Sequence, residues 1–170
     1  MKVKQFVPML VLSSLLTSQA FAATAAKPND NEISKVVETV NEGEIKLAEY
    51  AVKTSKNAEV KKFAEHMITD HKMNKEKANA LGVTPLENTK SMALRKDGET
   101  SMDKLKKLQG KEFDKAYIND QLAAHQKVLG ELKSNLIPNA KNKDLKAHLE
   151  MTAKKVETHI EHAKMIQKTL

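Results

Sequence analysis

Hydrophobic positions along this chain fall into four long stripes spaced alternately by four and three residues, and every stripe carries an ionisable residue inside it. The first runs through Ile33, Val37, Val40, Glu44, Leu47, Ala51 and Thr54, the second through Val60, Ala64, Met67, His71, Asn74, Ala78 and Leu81. The third holds Phe113 and Tyr117, then Ile118, Leu122, His125, Leu129, Leu132 and Leu136. The fourth holds Leu145, Leu149, Thr152, Val156, His159, Ala163, Ile166 and Leu170. Residues at this spacing share one face of an α-helix. The pattern therefore predicts four helices, A to D, each burying one face, and no stretch shows the alternation of a strand.

The connections predict how the helices are joined. Ser55-Lys56-Asn57 is a short turn, which makes A and B antiparallel neighbours. Leu81-Gly82 followed by Thr84-Pro85 stops helix B. From Val83 to Gly110 there is no long stripe, only a short helical fragment near Met102, Leu105 and Leu108. A connection of that length can cross the whole bundle and make B and C parallel. Pro138-Asn139 is read as the end of C, and Gly130 as a weak point or close contact within it.

The chain begins with a different pattern. Lys2 and Lys4 precede an apolar run from Phe6 to Leu16, and Ala20-Phe21-Ala22 follows. This is the layout of a secretory signal cut after Ala22, with an apolar run too short to span a bilayer. Residues 1–22 are thus expected to be a signal peptide, 23–31 a flexible lead-in, and 32–170 one helical domain without a transmembrane segment. The expected location is outside the cytoplasm.

Composition narrows the functional classes. Cysteine is absent, which excludes disulfides, thiolate metal sites and cysteine nucleophiles. The net charge of +7 is carried almost wholly by lysine, with Arg95 the only arginine. Lysines dispersed among glutamates form solvated helix faces, so no nucleic-acid partner is expected, while peripheral contact with envelope polyanions or a membrane surface fits. The chain has no phosphate-binding glycine loop, no Gly-x-Ser-x-Gly and no His-Glu-x-x-His, so no catalytic residue is assigned.

The candidate chemistry lies where the stripes meet. Glu44, His71 beside Asp70, His125 and His159 interrupt an otherwise apolar interior, and buried polar groups need partners. Together they suit one divalent metal such as iron, zinc or manganese, although a buried hydrogen-bond network is the first reading for such residues. A turn at Lys56 sets Glu44 level with Thr69 and Asp70, close to His71. A turn at Pro138-Asn139 sets His125 opposite Thr152 and leaves His159 about 10 Å further along, beside Tyr117 and Asp114. The pairs His66/Asp70 and His159/His162 could each clip a metal on one helix. Met67, Met73, Met102, Met151 and Met165 are read as fillers of core gaps.

Several runs resemble a known family. Gly43-Glu44-Ile45-Lys46-Leu47-Ala48, the run Val60 to His71, Phe113-Asp114-Lys115-Ala116-Tyr117 with His125, and Leu145-Lys146 with His159 are similar to bacterial domain-of-unknown-function family 4142. The resemblance implies an exported protein of the bacterial periplasm or outer-membrane face, labelled a predicted outer membrane protein, with a ferritin-like four-helix bundle. Here that means an all-α bundle with a long B-to-C crossover containing a short helix. Ferritin-type two-metal sites use Glu-x-x-His on two helices, and the chain has none. The resulting expectation is an envelope bundle of unassigned activity with a candidate interior site for one divalent metal ion among its Glu and His residues. Its alternatives are a metal-dependent redox or storage protein of reduced ferritin type and a lysine-rich interaction module.

Overall fold

The computed structural model describes residues 27–170, and the expected signal peptide lies outside them. The described chain is all-α. Helix α1 (Asp30–Thr54) is followed by α2 (Ala58–Ala80), α3 (Thr89–Leu105) and α4 (Gly110–Glu131). A π-helical turn (Leu132–Leu136) and a last α turn, α5 (Ile137–Asn139), extend α4 before α6 (Lys143–Gln167). Four asparagines start helices by the same physics. The side chains of Asn29, Asn57, Asn88 and Asn142 each accept from backbone N–H groups of the first turn, which no helical carbonyl can reach. Gly82 adopts φ +68 just after α2, the left-handed position that ends a helix cheaply only with glycine.

Hydrogen bonds between helices fix their directions. Glu42 and Glu49 of α1 pair with Lys75 and Lys72 of α2, while Glu44 of α1 and Ser55 at its end bond Gln121 and Asp114 of α4. Helix α6 meets α2 through Asp70–His159 and Asn74–Thr152, and α4 through Asn119–Gln167 and Lys133–Glu157. In each pair one residue number rises as the other falls. Helices α1 and α6 therefore run against both α2 and α4.

The core is divided. Leu47, Ala51, Phe63, Met67, Phe113, Tyr117, Ile118 and Ile166 pack into one apolar cluster. Ile33, Val37, Ala78, Leu132, Leu136, Leu149 and Val156 pack into another. Between these clusters the buried residues are polar on α1 (Asn41 and Glu44), α2 (His71) and α4 (Gln121 and His125), and the buried His159 joins them from α6 at the edge of the second cluster. The ionisable breaks in the four stripes thus form a layer across the middle of the bundle.

The region between B and C departs from expectation. In place of a short fragment near Met102, α3 is a 17-residue helix packed on α1 and α4. Its buried residues are only Ser91 and Leu105, too few for a hydrophobic stripe to reveal it, and its start is set by the Asn88–Ser91 capping box. The end of C also moves. The chain stays helical through Pro138 because the backbone shifts to π register there, with Ile137 N–H bonding the carbonyl of Leu132. Proline has no N–H and its ring crowds the carbonyl four residues back, which a widened turn relieves. The side chain of Asn139 donates to the carbonyl of Asn135, satisfying a group the irregular turn exposes.

Candidate metal centre

His71, His125 and His159 meet in the polar layer, each buried, and one ring nitrogen from each lies within 4.8 Å of the other two. Each histidine has its other nitrogen committed to an acceptor. His125 donates from Nδ1 to the carbonyl of Gln121 at 2.9 Å. His159 donates from Nε2 to Oδ2 of Asp70 at 2.9 Å. His71 donates from Nδ1 to Oδ1 of Asn41 at 2.8 Å, an oxygen that also accepts from Asn74. A neutral imidazole has one N–H. The remaining atoms, Nε2 of His71, Nε2 of His125 and Nδ1 of His159, are therefore bare lone pairs.

Electrostatics keep them so. Burial, with His125 and His159 beside it, holds His71 well below the usual imidazole range. Burial also pushes His159 down to about 4, although its hydrogen bond to Asp70 pulls the other way. Asp70 stays low despite its partial burial because His159 and Lys155, the latter at 3.4 Å, stabilise the carboxylate. Nε2 of His71 has no hydrogen-bond partner. Leaving such an atom buried costs about 1–3 kcal/mol.

The other residues read from the sequence fall around this group. Glu44 is buried at the same layer, with Oε2 accepting from Nε2 of Gln121 at 2.9 Å. Asp70 touches the group through His159. His159 does not sit beside Tyr117 and Asp114, where the predicted turn would have put it. The turn lies at Ala140 to Asn142, two to three residues later than Pro138-Asn139, which moves the facing residue by about twice as much. The wide π turn takes up the remainder.

The histidine clips do not form within a helix. His66 faces His162 across α2 and α6 with ring centroids 6.0 Å apart, and His162 packs edge-on against Phe63. Met73, Met151 and Met165 are exposed rather than in the core, because they lie off the buried faces of α2 and α6. Sequence reading passed over Asn41, Gln121 and His148, all buried. Asn41 lies four residues after Val37 and three before Glu44, so helical spacing marks it as interior. Gln121 lies four before His125 and was legible in the same way.

Fold and site together define an all-α protein whose interior is crossed by a polar layer with three converging histidines. The chain belongs to the family described as Domain of unknown function (DUF4142), whose model matches residues 16–166. No curated protein and no solved structure matches it significantly.

Proposed function

We propose that this chain is an exported, envelope-associated bundle of ferritin-like type that holds one divalent metal ion through His71, His125 and His159. One observation carries the reading: three buried imidazoles, each with its N–H engaged by an outer acceptor, turn their unprotonated nitrogens toward one another. Metal-binding histidines are oriented in this way by carboxylates and carbonyls behind them. A tetrahedral zinc about 2.0–2.1 Å from each nitrogen sets neighbouring nitrogens about 3.3 Å apart. The His125–His159 separation is 3.3 Å.

The donor set selects the metal. Three imidazoles suit zinc first and iron next, while manganese favours oxygen ligands. Three protein ligands leave a fourth position for water or a small molecule. Asp70 acts from behind on the ring of His159, while Glu44 holds the side-chain amide of Gln121, whose main-chain carbonyl accepts from His125. Export rests on Lys2, Lys4, the Phe6–Leu16 run and Ala20-Phe21-Ala22. The ferritin-like arrangement is supported by the shared direction of α2 and α4.

Elemental analysis of the untagged protein, purified without chelators, tests the metal. One zinc or iron per chain is expected in the unaltered protein and none in His125→Ala. Metal-free protein that also fails to take up zinc would end this reading.

A further inference from the structure

Beside His71 lies a cavity of about 90 Å³ lined from α1, α2, α3, α4, α6 and the π turn. Its walls are apolar, formed chiefly by Val36, Val40, Leu94, Val128 and Leu132. His71 and Asn41 line it as well, and both are more than nine-tenths buried. Each carries an unsatisfied polar atom, Nε2 of His71 and Nδ2 of Asn41. One is a metal ligand in the reading above. The other is an N–H donor with nothing to donate to.

Charge around the site is unbalanced once a metal is bound. The three imidazoles are neutral, and a divalent ion adds two positive charges. Asp70 and Lys155 offset each other, and Glu44, bonded to Gln121, offsets one of the two. One positive charge remains in a largely buried layer, where an unbalanced charge is costly. The lysines along the cavity do not change this, because Lys90 pairs with Glu131 at 2.9 Å and Lys127 with Asp97 at 2.7 Å.

We propose that the cavity and the fourth metal position together bind a short-chain monocarboxylate, an inference that rests on the metal reading. One carboxylate oxygen completes the coordination and cancels the remaining charge. The second oxygen accepts from Nδ2 of Asn41, and the aliphatic tail lies among Val40, Val128 and Leu132. The cavity is smaller than the roughly 150 Å³ that takes up benzene, so the tail is limited to a few carbons.

Cobalt(II)-loaded full-length protein tests this, since the visible bands of tetrahedral cobalt move when its fourth ligand changes. Formate, acetate, propionate and butyrate are titrated in turn. The expected result is a band shift for each, with affinity rising about fourfold per added methylene as the tail enters the cavity. Val128→Phe fills the cavity and should flatten the series while cobalt affinity stays within about twofold. Asn41→Asp keeps an oxygen for His71 but removes the donor, and should weaken every carboxylate about tenfold. A cobalt spectrum that carboxylates leave unmoved, or a flat series in the unaltered protein, overturns this inference and leaves the metal site standing. Absence of any tetrahedral cobalt spectrum overturns both.

Discussion

Nδ1 of His159 lies 3.3 Å from Nε2 of His125, and neither nitrogen carries a proton to share. The protons are elsewhere, on the nitrogens bonded to Asp70 and to the carbonyl of Gln121. Two lone pairs at this distance repel unless a cation sits between them. A proton is disfavoured there, because burial and the neighbouring ring oppose an imidazolium at His159. A metal ion held also by a nitrogen of His71, as proposed above, would remove the repulsion.

Replacing His125 separates a metal site from a plain hydrogen-bond network. His125→Ala should destabilise the metal-free protein by roughly 1–3 kcal/mol plus a cavity term. His125→Leu should recover part of that loss, since it fills the space and removes a polar atom. Both should abolish the rise in melting temperature with zinc, which reaches about 2.7 kcal/mol of stabilisation at a hundredfold excess over Kd. The control is His66→Ala, an exposed site expected to change stability by less than about 0.5 kcal/mol. Thermal melts with and without zinc give all of these values.

In the proposed site Asp70 would orient His159 through Nε2 without being a ligand itself. Asp70→Ala should lower zinc affinity by about 10 to 100-fold, the usual loss when the group behind a ligating histidine is removed. Asp70→Asn keeps an acceptor for Nε2–H and should lose less. Competition with a chromophoric chelator measures both, and equal affinities in all three proteins would show that the Asp70–His159 bond plays no part.

Acid should weaken the metal-free fold in a defined window. Both His71 and His159 are depressed in the folded state, His159 to about 4. The unfolded chain takes up those protons at about pH 6.5. Their contribution is therefore complete above about pH 6.5 and is lost as pH falls toward 4, amounting to a few kcal/mol in order of magnitude. Urea unfolding at pH 7.5, 6 and 5 should show falling stability, and His159→Gln should reduce the slope. Stability independent of pH across this range would mean that these rings titrate normally.

A second polar contact ties α1 to α4 away from the site. Ser55 donates to Oδ1 of the buried Asp114 at 2.5 Å and accepts from the backbone N–H of Asn57. Ser55→Ala should cost roughly 1.5–3 kcal/mol, because it leaves a buried carboxylate short of a donor. Zinc affinity should be unchanged, since the contact lies beyond the apolar cluster of Phe113 and Tyr117. Denaturation and zinc titration of the same variant check both halves.

By itself the sequence determined the four long helices and the interior position of Glu44, His71, His125 and His159. Helical periodicity is a local property: a residue three or four positions from a buried leucine shares its face whatever the partner helix is. The Asn57 start and the Gly82 stop were equally local, because caps satisfy backbone groups within one turn. Tertiary structure alone decided which of those residues meet. A turn two or three residues later than Pro138-Asn139, with a π turn before it, brought His159 against His125 instead of Tyr117. Local signals do not fix that offset, since a proline can end a helix or be absorbed by a register change, and packing chooses between them. The same packing gave His71 to Asn41 and Glu44 to Gln121, a pairing set by how far α1 slides along α2 and α4.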